Sequence, residues 1–200
     1  LKSIPWLLII FRLLCTPIIL LIAYKFKEES TIWVLLLMYL GFISDIFDGI
    51  IARRLNVSTK LLRRADSQVD LLFWISIGFS IWMIYPEFIN ENKWFILPLF
   101  ILEGTIYLIS FLKFKKEIST HSYLSKLWGI TLLLVFTSIL GFQEMGFFFY
   151  LCVIVGMISQ IDVILIVLIL PQWNHDIPSS YHAYLIRKSK PFKKWKLFNS

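Results

Sequence analysis

The chain has 200 residues, 58% of them hydrophobic and 17% aromatic, with a mean hydropathy of +0.75. Soluble domains are about 45–50% apolar, so the composition excludes a water-soluble fold and indicates an all-α integral membrane protein. The net charge of +7 sits between apolar runs and in the tail, which points to an anionic lipid surface and not to nucleic acid as the partner.

A spanning helix needs about 20 apolar residues. Six runs approach that length: residues 5–24, 31–51, 69–85, 94–112, 127–141 and 147–170. The fifth is short and extends back toward Ser122. Pro5 suits the first turn of a helix, and Pro17 interrupts the first run. The expectation is six transmembrane helices with a short N-terminal interfacial helix, residues 4–12, that turns into the membrane at Pro17. Lys2 before an apolar run resembles a signal peptide, but Arg12 breaks the run and no small-residue cleavage site precedes Lys25. The segment is therefore read as retained.

Loop charge sets the expected orientation. Arg53, Arg54, Lys60, Arg63 and Arg64 lie between the second and third runs, and Lys113, Lys115, Lys116 and Lys126 between the fourth and fifth. The tail, residues 172–200, is also basic. The opposite loops hold Lys25, Lys27 and Lys93, offset by Glu28, Glu29, Glu87, Glu91 and Glu144. The positive-inside rule puts both termini and the second-to-third connection in the cytoplasm. The whole chain, 1–200, reads as a single membrane domain whose basic, aromatic end, residues 189–200, anchors to lipid headgroups.

Several residues carry ordinary readings. Cys15 and Cys152 lie in apolar runs without a second cysteine or histidine at ligand spacing, so they read as small buried hydrophobes. His121, His175 and His182 likewise lack a partner at metal spacing and read as surface residues. Glu103 and Asp162 are lone acids inside the fourth and sixth runs. They either line an acceptor pocket, pair with each other or with a partner subunit, or serve structural hydrogen bonding.

The stretch from Ser44 to Asp70 stands apart. It carries Asp45 and Asp48 spaced i, i+3, then Asp66 and Asp70 spaced i, i+4. Each spacing places both carboxylates on one helical face. A carboxylate costs about 2.5–3.5 kcal/mol near the bilayer centre, so acids at a membrane edge need partners. Hard divalent cations take oxygen ligands. Gly49 and Ala52 continue the Asp45–Asp48 stripe with small residues that leave room for a ligand.

These residues fit a pattern, D-x2-D-G-x2-A-R, eight residues, then G-x3-D-x3-D. Asp45, Asp48, Gly49, Ala52, Arg53, Asp66 and Asp70 occupy every defined position except one. The chain thereby resembles the CDP-alcohol phosphatidyltransferases. The resemblance implies a six-helix, dimeric membrane enzyme of phospholipid biosynthesis, placed in a bacterial inner membrane with its active site cytoplasmic. Such an enzyme moves a phosphatidyl group from CDP-diacylglycerol, or uses another CDP-linked donor, onto an alcohol and releases CMP. Glycerol 3-phosphate is the first acceptor to consider. The resemblance implies two Mg2+ or Mn2+ ions on Asp45, Asp48, Asp66 and Asp70, with Asp70 as general base. It implies nucleotide contacts from Asp48, Gly49, Ala52 and Arg53, and phosphate or acceptor contacts from Arg12 and Lys126.

Three positions depart from the family pattern. Leu62 replaces the signature glycine, while Trp6 and Ile9 stand where relatives often carry Asn and Thr. Either the nucleotide pocket is reshaped or nucleotide binding is weakened. The alternative functions are therefore an impaired relative that binds lipid or a partner protein, and a cation transporter or channel. A transporter would spread its acids along several spans at mid-membrane depth, whereas here they gather in one hairpin.

Overall fold

The structure is a computed structural model describing residues 3–55, 57–120 and 122–191. It consists of α1 (Ile4–Phe26), a 3-10 turn (Lys27–Ser30), α2 (Thr31–Arg54), α3 (Lys60–Ile84), α4 (Pro86–Phe114), α5 (Tyr123–Phe142), α6 (Phe147–Ile169) and α7 (Ser180–Arg187). Among the described residues, five helical stretches are long and apolar enough to cross a membrane, the first being Ile4–Arg54. At 1.5 Å per residue that stretch would be about 75 Å long, far beyond a hydrocarbon core of about 30 Å. It is instead a hairpin: the chain reverses at Lys27–Ser30 and α1 packs along α2. Counting the hairpin as two gives the six spans expected.

The separate interfacial helix does not form. α1 runs unbroken through Pro17. Proline is tolerated within spanning helices where packing compensates the lost hydrogen bond. Here the N-terminal half of α1 is drawn inward, with Pro5, Ile9 and Arg12 buried, and α1 packs against both α2 and α3. α3 begins earlier than the apolar run does. Thr59 caps it, its side-chain oxygen accepting from the Leu62 amide at 3.2 Å, so the polar segment KLLRRADSQ is helical. α4 also starts early, at Pro86, where a missing N–H costs nothing.

The chain forms two compact units, Leu1–Glu91 with Phe136–Met145, and Asn92–Val135 with Gly146–Ser200. In the first, α1, α2 and α3 pack together. Bulky apolar side chains such as Leu7, Leu21, Trp33 and Phe47 face outward, while the inward faces carry Ser44, Ser76 and Ser80. Each of these hydroxyls donates to a carbonyl one turn earlier at 2.7 Å. That distribution suits a lipid solvent, in which close packing of small residues holds helices together.

In the second unit, α6 and α7 pack together. The turn before α7 is stitched to the segment before α5. The Trp173 indole donates to the Glu117 carbonyl at 2.8 Å, and the amides of Asp176 and Tyr123 donate to the Ser119 and Pro178 carbonyls. The tail was expected only as a basic anchor, and α7 is an addition to it. Lys2, His121 and residues 192–200, which carry most of the expected anchor, lie outside the described residues.

Candidate metal and phosphate centre

The last three turns of α2 carry Asp45, Asp48, Gly49 and Ala52, and the first three turns of α3 carry Asp66 and Asp70. The helical spacing faces both pairs inward, where they meet at Arg12 of α1. One guanidinium nitrogen, Nη2, donates to Asp48 Oδ2 and Asp66 Oδ1, each at 2.8 Å. The other, Nη1, donates to Asp45 Oδ1 and Asp70 Oδ1. Arg12 is 1% exposed and Asp48 3%, while Asp45, Asp66 and Asp70 are half-buried. This contact gathers four acidic side chains around a single guanidinium. So many acids close together favour a further cation among them.

The donor set suits such a cation. Asp45, Asp48 and Asp66 each offer an oxygen, and these atoms lie within 4.8 Å of one another. All-oxygen carboxylate ligation fits Mg2+ or Mn2+ and disfavours soft metals. Arg12, Asp45 and Asp70 also border a small recess, open to its surroundings, whose wall is completed by Gly41, Phe42, Phe73 and Trp74. Trp74 is fixed there by edge contacts with Phe42 and Phe73 at 6.5 and 5.7 Å.

The small residues of the stripe have different surroundings. At Gly49 an added Cβ would lie 3.4 Å from Arg53 Nη1, so the Arg53 side chain folds back beside the glycine. Ala52 is buried in an apolar cluster with Ile9, Leu62 and Val69, flanked by Val57. Two of the departures from the family pattern, Leu62 and Ile9, thus pack into one cluster beside Ala52. Trp6, the third, is 36% exposed. Lys126 is an exposed residue of α5 in the second unit.

The two lone acids have partners within the second unit. Glu103 Oε2 accepts from Gln160 Nε2 at 3.1 Å, and the same amide reaches the Leu99 carbonyl at 2.9 Å. Asp162 Oδ1 accepts from the Ser180 amide at 3.0 Å, placing a carboxylate at the first turn of α7, where the helix dipole favours it. His182 on α7 bonds to Ser179 Oγ at 2.9 Å through Nδ1, and burial pushes its pKa below the usual histidine value. His175 Nδ1 lies 2.6 Å from Asp176 Oδ2.

The central place of Arg12 is the main feature that spacing alone did not reveal. Its signal was present, since an arginine inside an apolar run must find acids or water.

The sequence matches the family model described as CDP-alcohol phosphatidyltransferase over residues 2–170. It is 28% identical to a CDP-diacylglycerol–glycerol-3-phosphate 3-phosphatidyltransferase of Aquifex aeolicus (strain VF5), over 86% of this chain and 92% of the relative. It is 25% identical to a protein of the same name from Wigglesworthia glossinidia brevipalpis, over 74% of this chain and 94% of that relative. No solved structure matches.

Proposed function

Since the chain belongs to the CDP-alcohol phosphatidyltransferases, we propose that it transfers the phosphatidyl group of CDP-diacylglycerol to glycerol 3-phosphate at the Arg12–aspartate centre. The observation that carries this is the convergence of Asp45, Asp48, Asp66 and Asp70 from two helices on one guanidinium. The acceptor choice is supported by the names of both relatives.

In this reading Asp45, Asp48 and Asp66, with Asp70, hold Mg2+ or Mn2+, two ions in all. When bound, the metal supplies positive charge against the donor's diphosphate. Asp70 takes the proton from the acceptor hydroxyl. The freed oxygen bonds to the phosphatidyl phosphorus, the phosphoanhydride bond breaks, and CMP leaves with the electron pair. Asp48, Gly49, Ala52 and Arg53 contact the cytidine nucleotide. Arg53 of the first unit is a basic candidate for phosphate contact, and Lys126 of the second unit is a separate candidate. Arg12 joins them only by leaving the aspartates. The protein works as one membrane domain and as a homodimer in a bacterial inner membrane. Its termini and centre face the cytoplasm, in keeping with the basic connections on that side.

A panel of alcohols tests this. Purified protein with CDP-diacylglycerol and Mg2+ or Mn2+ should release CMP most rapidly with glycerol 3-phosphate. Serine, inositol phosphate or an aminoalcohol outpacing it would reassign the acceptor, and no release with any of them would favour the impaired relative. The packing of Leu62 and Ile9 beside Ala52 is the one observation that speaks for that second reading.

A further inference from the structure

We propose that Arg12 is the built-in counter-cation of the metal-free centre: it holds the four carboxylates together until divalent ions replace it. The inference rests on the metal reading above and deepens it.

Three observations carry it. First, both terminal nitrogens of the guanidinium are committed to carboxylates, two each, drawn from two different helices. Arg12 thereby ties α1 to α2 and α3 through one planar group, which a point-charge ammonium could not match. Second, the oxygens it uses belong to the same side chains that make up the Asp45–Asp48–Asp66 ligand set. A guanidinium and a divalent ion in this space repel each other and compete for the same carboxylates. Third, the guanidinium is not fully satisfied. Arg12 Nε is buried and has no hydrogen-bond partner among the described residues, so this arrangement leaves the guanidinium with an unpaired donor. A group held by strong charge attraction but imperfect hydrogen bonding is well suited to exchange.

The consequence is a trade between folding and metal affinity. With Arg12 present, α2 and α3 stay together without metal, and each ion binds against a resident positive charge. Without it, the carboxylates repel one another and the fold depends on metal.

Mn2+ binding, read from the loss of the free-ion electron paramagnetic resonance signal, and thermal unfolding in detergent test this. The wild-type chain, Arg12→Gln and Arg12→Lys are compared in EDTA and in Mn2+. Arg12→Gln is expected to bind Mn2+ about tenfold or more tightly than wild type. Its melting temperature should fall in EDTA and recover most in Mn2+, with Arg12→Lys in between. A purely structural arginine would lower the melting temperature equally in both conditions and leave affinity unchanged or weaker, which overturns the proposal. So does failure of both variants to fold in Mn2+, because the ion should then stand in for the guanidinium. If the wild-type chain binds Mn2+ and the variants bind it no better, only the role of Arg12 is lost. If the wild-type chain binds no Mn2+, the metal reading itself fails.

Discussion

Gly41 of α2 leaves the space that the ring of Phe73 on α3 fills: a Cβ at position 41 would lie 2.2 Å from Phe73 Cζ. Gly41 sits one turn before Asp45, and Phe73 three residues after Asp70. The close approach of glycine and ring therefore helps set the separation of carboxylates on opposite helices. Gly41→Ala should force the ring or the helices to shift, costing about 1–3 kcal/mol as for other overpacked cores. It should also weaken Mn2+ binding. Gly78→Ala, where an added Cβ meets nothing within 4 Å, is the matched control and should do neither. Melting curves and Mn2+ titrations of the two variants check this.

Asp70→Asn removes both the proton acceptor and one of the carboxylates proposed to hold the ions. Asn keeps the shape and a hydrogen bond to Arg12 but cannot take up the hydroxyl proton. Loss of a general base typically costs about 10²–10⁴-fold in rate, so CMP release should fall into that range while the melting temperature changes little. A variant that keeps near-normal turnover would move the base elsewhere.

Leu62→Gly separates two consequences of the apolar cluster around Ala52. Leu62 is 5% exposed and packs with Ile9, Ala52 and Val69. Removing a buried leucine side chain costs about 2–5 kcal/mol in soluble cores, and a fall in melting temperature is expected. If the cluster narrows the nucleotide pocket, affinity for a CDP-lipid should nevertheless rise. Calorimetric titration with CDP-diacylglycerol in nanodiscs reads this, and unchanged affinity would remove Leu62 as the cause of any weak binding.

Asp162→Ala tests the link between α6 and α7. The Ser180 amide loses its carboxylate acceptor, at a cost of about 1 kcal/mol, as for other N-terminal caps. Hydrogen exchange should quicken in Ser180–Arg187, and proteolysis should increase in the preceding turn. Asp162→Asn, which keeps an acceptor oxygen, should show the smaller effect.

The sequence made the centre legible because its acids follow helical spacing. Asp45 with Asp48, and Asp66 with Asp70, each had to share a face, and both do. The step of four from Leu62 through Asp66 to Asp70 also holds, because α3 reaches back to Lys60. What the sequence hid depended on tertiary context. Pro17 is a helix breaker in water, yet α1 continues through it because its N-terminal half is held by Arg12 and Ile9 against α2 and α3. The start of α3 is polar, so hydropathy placed the span too late, while the Thr59 cap gave the better boundary. α7 is short and followed an irregular turn, and its anchor, Asp162, lies 18 residues earlier in the chain. The aspartate contacts of Arg12 are not legible locally, because nothing near it in sequence indicates which of several charged partners an arginine will choose.

The most direct measurement is CMP release from CDP-diacylglycerol and glycerol 3-phosphate by purified protein stripped with EDTA, then given back Mg2+ or Mn2+. The account predicts that EDTA abolishes release and that either ion restores it in the wild-type chain but not in Asp48→Asn. Release that persists in EDTA, or that Asp48→Asn leaves intact, would contradict a transferase centred on these carboxylates.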